Sequence, residues 1–204
     1  MENDLGEQEV VRRLEPHTSV KSLGVFLQTT GGDDDQLEYM TTNVTTWLDM
    51  INLSVLPHAM NLRSLHTRIL KTLIYPLPTT CLTNDDCVAL EAALYRKSLP
   101  KCGVGSKLPL AVRYAPVGYM GIDMPQLYVQ QGICHLRELI RAIPNHGITA
   151  QQMRILNEVL HLMTGTPTWI FDQTHHQFAK LIDEVWMQST WEFALAYNIT
   201  VSSP

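Results

Sequence analysis

Residues 19–27 read Ser19-Val20-Lys21-Ser22-Leu23-Gly24-Val25-Phe26-Leu27, a strand-like stretch ahead of a long sequence of helical character. Alternating polar and apolar side chains here predict a β-strand. Gln28-Thr29-Thr30-Gly31-Gly32 ends it. The stretch Glu9–Leu14 predicts a first strand, and a turn at Pro16-His17-Thr18 would pair the two. The sequence therefore predicts a β-hairpin over residues 9–32, after a disordered tail at residues 1–8.

The predicted strand has one mainly apolar face. Strand geometry places Leu23, Val25 and Leu27 on this face, with Lys21 at its open end. Gly24 falls in the middle, where a glycine weakens a strand unless a bulge or a close backbone approach needs the room. We expect another protein segment to pack over this apolar face, because an exposed hydrophobic strand favours association.

The remainder of the chain predicts a mainly α-helical fold of about six helices, because apolar residues recur at helical spacing. The predicted helices cover approximately residues 33–51, 57–73, 83–99, 125–143, 149–163 and 173–197. Leu110–Tyr114 predicts a short strand between the third and the fourth of these helices.

Capping residues mark several of these helix starts. Asp33, Asp34 or Asp35 can cap the first helix, and Thr83 with Asp86 can cap the third. Thr149 lies three residues before Gln152, the spacing of a capping box. We therefore expect a capped start at each of these three helices.

The net charge of −5 is unevenly distributed along the chain. Residues 1–58 carry −7, residues 59–113 carry +5 and residues 114–204 carry −3. A basic segment of this kind is typical of a surface that binds a nucleic-acid backbone. A solvent-exposed helix face would show the same excess of basic residues. The basic residues of the middle segment are Arg63, Arg68, Lys71, Arg96, Lys97, Lys101, Lys107 and Arg113.

Catalytic and metal-binding motifs are absent from the sequence. It contains no nucleophile elbow, zinc-protease motif, dinucleotide fingerprint or phosphate loop. Three consecutive aspartates at 33–35 fit a helix cap better than a metal site, and adjacent His175 and His176 diverge on a helix. We predict no catalytic residue, no metal site and no cofactor in this chain.

The cellular setting is predicted from what the sequence lacks. It has no secretory signal pattern and no apolar run long enough to span a bilayer. We therefore expect an intracellular protein of the nucleus or cytoplasm with no membrane partner. The four cysteines, Cys81, Cys87, Cys102 and Cys134, are then expected to be thiols and not disulfides.

Several short motifs occur in an order that resembles one family. Ser19–Val25 resembles that family's K-x-L-G strand, and Leu73–Thr83 resembles the thumb segment that follows it, in which an apolar run leads into a tyrosine. Leu99–Val104, Arg113–Pro116 with Gly118 and Gly121, Gln130–Ile133, and Trp186 with Trp191-Glu192-Phe193 continue the series. Together they resemble the C-terminal part of non-LTR-type retrotransposon reverse transcriptases. The resemblance extends over about residues 9 to 197.

This resemblance implies a division of the chain and a role for particular residues. Residues 9–32 would form a primer-grip-like hairpin, residues 33–113 a thumb-like helical domain and residues 114–204 a C-terminal helical region. Primer-grip residues would be Lys21, Ser22, Leu23 and Gly24. The eight basic residues of the middle segment would lie along an RNA or DNA duplex.

Departures from the family pattern limit what the chain could do alone. The family binds Mg²⁺ with palm aspartates, including a Tyr-x-Asp-Asp turn, and this sequence has no such turn. Ala115 also stands where the family has glycine. The resemblance thus implies an inactive fragment whose partners are a duplex and a missing palm and fingers portion. The alternative is a free-standing helical protein-interaction module with no nucleic-acid role.

Overall fold

The computed structural model describes residues 15–105, 107–142, 147–167, 169–172, 175–182 and 185–201. Over these residues the chain is mainly helical, with a two-stranded antiparallel hairpin near its N-terminus. The predicted fold class is confirmed. Apolar residues at helical spacing determine it, since they leave each helix with one face to bury.

The hairpin lies entirely within the stretch that was predicted to be one strand. Strand β1 (Val20–Ser22) pairs with β2 (Val25–Leu27), with Val20 opposite Leu27 and Ser22 opposite Val25. Leu23 and Gly24 have φ angles of 50° and 88°, the left-handed conformations of a tight two-residue turn. Gly24 therefore serves a turn and not the middle of a strand. The predicted partner, residues 9–14, lies outside the described residues.

The tight turn also overturns the predicted apolar face. Val25 is buried, whereas Leu23 is 88% exposed at the tip and Leu27 is 47% exposed. The three residues therefore do not form a common surface. The hairpin therefore has much less apolar surface to bury against a neighbouring segment than a continuous apolar strand would have.

The first half of the helical part is built around two long helices. Helix α1 (Asp34–Leu53) packs along α4 (Asn84–Lys101). Between them in sequence lies a continuous helical rod of three parts, α2 (His58–Ser64), a π-helical turn (Leu65–Ile69) and α3 (Leu70–Ile74). The core that they enclose includes Met40, Val44, Leu48, Leu65, Leu70, Leu73, Leu90, Leu94 and Leu99.

The second half is built around α6 (Leu127–Ala142), which also contacts α4. Helices α7 (Ile148–Thr164) and α9 (Val185–Ala196) pack against α6. A second cluster of buried side chains fills the space between them; it includes Leu136, Leu139, Leu160, Ile170, Met187, Trp191 and Phe193.

The prediction of one long helix over residues 173–197 is wrong. A 3₁₀ turn at Ile170–Asp172, the short α8 (His175–Phe178) and a 3₁₀ turn at Ala179–Leu181 precede α9. Asn198 is left-handed, with φ 51°, and the amide of Ile199 donates to the carbonyl of Ala194. A left-handed residue thus closes the C-terminal end of the helix.

Local predictions in the middle of the chain had mixed outcomes. Thr83 accepts from the amide of Asp86 and Asp86 accepts from the amide of Thr83, so the capping box is confirmed. Thr149 makes no such cap, because α7 begins earlier, with Gly147 at the N-cap position. Leu110–Tyr114 is helix α5 and not a strand.

Three general features complete the architecture. None of the helices in the described ranges is long and apolar enough to cross a membrane. Within the same ranges no three His, Cys, Asp or Glu side chains are grouped to hold a metal ion. Cys87 and Cys102 are buried, and burial raises the pKa of the Cys87 thiol to about 12.

Candidate nucleic-acid interface

Three exposed cations follow one another along the helical rod of α2, the π turn and α3. Arg63, Arg68 and Lys71 are exposed, as is Thr67, which stands four residues from both Arg63 and Lys71. None of the three cations pairs with an acidic side chain of the described residues. The sequence contains no acidic residue between Asp49 and Asp85. This face of the rod is therefore positively charged and open to an anionic ligand.

The tip of the hairpin lies at the C-terminal end of this rod. Tyr75 follows directly after α3 and is 57% exposed. A Cβ atom placed on Gly24 would lie 4.0 Å from Cε1 of Tyr75, so the hairpin turn borders the tyrosine ring. The structure thus joins the hairpin tip to the basic rod, two regions that lie about 40 residues apart in sequence. Leu23 and Tyr75 give this end of the surface two exposed apolar groups.

Lys21 is directed toward aromatic rings at the base of the hairpin. Its Nζ lies 4.0 Å from the centroid of the Tyr39 ring and 5.3 Å from that of Phe26. Cation–π contacts of this kind orient the ammonium group and leave part of it hydrated. Hydrogen bonds from Asn43 and Lys21 lower the pKa of Tyr39. Ser22, beside Lys21, is exposed.

The basic residues of α4 and the loop after it divide into two groups. Arg96, Lys97 and Lys107 are exposed. Lys101 is half-buried, and its Nζ donates to the carbonyl of Asn52 at the end of α1, at 2.9 Å. The side chain of Lys101 therefore joins two helix ends, and it is not available for a ligand in the way that Arg96 and Lys97 are.

Arg113 also has an internal role. Its guanidinium lies 5.4 Å from the ring centroid of Tyr95 and 5.9 Å from that of Tyr114. Both rings border Glu91, a buried carboxylate that accepts hydrogen bonds from the Tyr114 hydroxyl and from the amide of Leu127. Burial raises the pKa of Glu91, against these hydrogen bonds and the charge of Arg113. Arg113 thus compensates a buried acid instead of lining the open face.

A polar cleft of about 420 Å³ adjoins the basic rod. His66 of the π turn and Lys71 of α3 both line it. Asp123 lines the other side with a left-handed φ of 52°. The polar side chains of this cleft are those of His66, Lys71, Tyr114, Asp123, Gln126 and Gln130. The cleft lies beside the π turn, and π-helical turns are frequent at functional sites.

Comparison with known proteins adds no relative. No family model, curated protein or solved structure matches this chain.

A segment between α3 and α4 fixes the rod against the rest of the molecule. The amide side chain of Gln131 on α6 accepts from the amide of Leu82 at 3.1 Å and donates to its carbonyl at 2.9 Å. The carboxylate of Asp33 accepts from the amide of Cys81 at 2.6 Å and makes no side-chain cap on α1. Sequence reasoning missed both anchors, since the paired residues lie about 50 positions apart.

Proposed function

We propose that this chain contacts the sugar–phosphate backbone of an RNA or DNA duplex through the charged face of the helical rod. The resemblance to the C-terminal part of non-LTR-type reverse transcriptases supports this role. In that reading the hairpin tip is the primer-grip-like element, and a palm and fingers portion outside this chain would supply the Mg²⁺ and the polymerase chemistry.

The observation that carries the proposal is that Arg63, Arg68 and Lys71 are exposed and form no ion pair with any acidic residue that the structure describes. Backbone contacts from arginine and lysine are electrostatic and largely independent of sequence. Arg96, Lys97 and Lys107 are exposed and can extend the contact. We leave Lys101 and Arg113 out of the proposed contact, because Lys101 donates to the carbonyl of Asn52 and Arg113 lies over the ring of Tyr95, where its charge acts on Glu91.

The test is the salt dependence of duplex binding. Fluorescence anisotropy with a labelled RNA–DNA duplex between 50 and 200 mM salt gives the slope of log K against log salt. Replacement of Arg63, Arg68 and Lys71 together by alanine should reduce the steepness of that slope by about 2 to 3, since each lost phosphate contact removes about 0.9.

A matched triple variant provides the control. Arg137, Arg141 and Arg154 are exposed cations on α6 and α7, so their replacement by alanine changes the net charge by the same amount. Duplex binding by this control should keep the slope of the unmodified chain. Equal loss in both triple variants would attribute binding to net charge alone, and unchanged binding in the first would overturn the proposal.

A further inference from the structure

An apolar surface is exposed where α1 ends and α2 begins. Leu53 is 84% exposed and Val55 is 99% exposed, while Met50, Leu56 and Met60 are each exposed over about half of their surface. Single exposed apolar residues are ordinary, but a contiguous group marks an interaction site. Five such residues fall within eleven positions of the sequence here.

A groove between two helical walls adjoins this surface, and Met50 and Leu56 are among the residues that line it. Helix α1 supplies Trp47, Met50 and Ile51, which recur at helical spacing, and the rod supplies Ser64 and Ile69 on the other side. The volume is about 220 Å³. This is below the roughly 300–1,000 Å³ of small-molecule pockets, so the groove suits anchoring side chains of a macromolecule.

Internal hydrogen bonds hold the shape of the groove. The side-chain amide nitrogen of Asn61 donates to the backbone carbonyls of Leu56 and Lys101, at 3.1 and 3.2 Å. Its side-chain oxygen accepts from the hydroxyl of Ser54 at 3.0 Å. These polar groups are satisfied within the chain and fix the loop that joins α1 to α2. The groove is therefore preformed, which lowers the cost of binding.

The charge at the groove has one sign. Arg68 is the charged member of its lining, and Arg63 is exposed on the same rod. Neither forms an ion pair with a described residue. Asp49 stands on α1 two positions from Trp47 and two from Ile51, which directs it away from the face that these residues share. A complementary ligand would carry apolar anchors flanked by carboxylates.

We propose that this groove binds an acidic amphipathic α-helix of a partner protein. Apolar side chains at positions i, i+3 or i+4, and i+7 of that helix enter the groove, and a flanking glutamate or aspartate pairs with Arg68. Helix-in-groove binding is one of the modes that a free-standing interaction module can use. The proposal does not depend on duplex binding, and since Arg68 belongs to both surfaces, the two ligands compete for it.

A displayed library of helical 16-residue peptides tests the proposal on the full chain. Each peptide carries leucine, methionine, isoleucine or phenylalanine at the anchor positions and either glutamate or lysine on the flanks. Selection should enrich glutamate flanks. The tightest peptide should lose at least tenfold in affinity for Met50→Glu/Leu56→Glu, and several-fold for Arg68→Ala.

Two further variants keep the test decisive. Leu53→Glu changes a side chain that is already in solvent, so the fold is retained and weaker peptide binding reports the surface itself. Leu162→Glu, at an equally exposed leucine on α7, is the control and should bind as the unmodified chain does. Arg68→Glu should shift the selection toward lysine flanks.

Three outcomes would overturn the proposal. One is selection without enrichment of glutamate flanks. Another is a selected peptide that binds the groove variants as well as it binds the unmodified chain. The third is a dimer in light scattering that Leu53→Glu converts to a monomer, which would assign the surface to a second copy of this chain.

Discussion

The indole ring of Trp186 lies 4.9 Å, centroid to centroid, from the imidazole ring of His135. Each side chain also holds the segment between α3 and α4. Trp186 Nε1 donates to the carbonyl of Pro78 at 3.0 Å, and His135 Nε2 lies 3.1 Å from the carbonyl oxygen of Leu77 and 2.9 Å from that of Thr80. This pair therefore connects α6 and α9 to the segment that positions the basic rod.

His135 should make stability depend on pH below neutrality. Burial lowers the pKa of His135 to about 4, from an ordinary value near 6.5, against the hydrogen bonds to Thr80 and Leu77. Above pH 6.5 neither the folded nor the unfolded chain protonates this residue. From pH 6.5 down to about 4 only the unfolded chain does, so the free energy of unfolding should fall by up to about 1.4 kcal/mol per pH unit.

Urea unfolding at pH 7.5, 6.5, 5.5 and 4.5 measures this effect. Asp33 and Glu91 act in the opposite direction, because burial raises the pKa of each carboxyl and the folded chain then binds protons first. The informative quantity is the difference between the unmodified chain and His135→Gln, which cannot titrate. Identical pH slopes in the two proteins would contradict the assignment to His135.

The two threonine capping signals should respond oppositely to alanine. Thr83→Ala removes an N-cap acceptor that the structure contains and should lower the free energy of unfolding by about 1 kcal/mol. Thr149→Ala changes an exposed threonine within α7 that makes no cap, and its effect should stay within about 0.5 kcal/mol. Denaturant titration of both variants checks the pair, and equal losses would show that Thr149 caps α7 after all.

Gly132 should tolerate no side chain. A Cβ atom on Gly132 would lie 2.2 Å from Cγ of Phe193, so α6 and α9 can approach closely only with glycine at this position. Gly132→Ala should lower the free energy of unfolding by about 1–3 kcal/mol through overpacking. Gly118→Ala is the control, since its Cβ would enter open space. Similar melting temperatures for the two variants would argue against the close contact.

The hairpin turn should become more stable when Leu23 is replaced by asparagine. Leucine at a φ of 50° is unfavourable by about 1 kcal/mol, whereas asparagine accepts the left-handed region and Asn-Gly is the preferred pair for this turn. Hydrogen exchange of the β1 and β2 amides in Leu23→Asn should slow by about fivefold. Gly24→Val, at a φ of 88°, should speed it, and no change in either variant would count against the turn.

The sequence predicted helices best where the signal is local. Thr83 and Asp86 contain the whole capping box within four residues, so the start of α4 was predictable. Leu110–Tyr114 is too short for apolar periodicity to distinguish a strand from a helix. In the structure the carbonyl of Pro109 accepts hydrogen bonds from the amides of Val112 and Arg113, which forms a helical turn. The sequence predicts one strand where the structure has a hairpin, because leucine rarely adopts the left-handed conformation of Leu23.

The candidate site was less predictable because a charge count does not reveal partners. Lys101 reaches Asn52 across 49 positions, and Arg113 reaches Tyr95 across 18. Both contacts depend on how helices pack, which no local pattern encodes. The open face of the rod could be anticipated from Arg63, Arg68 and Lys71, but its junction with the hairpin tip through Tyr75 could not.

The π turn at Leu65–Ile69 sets the alignment of this face. An α-helix advances by about 100° per residue, and a π turn accommodates one residue more than the α-helical turn that it replaces. Deletion of one residue within Leu65–Ile69 would restore a regular α-helix and keep Lys71 and Tyr75 at nearly the same angle to Arg63, whereas a regular α-helix of unchanged length would rotate them by about a quarter of a circle. The alignment of the two ends of the rod thus depends on a turn that absorbs one surplus residue.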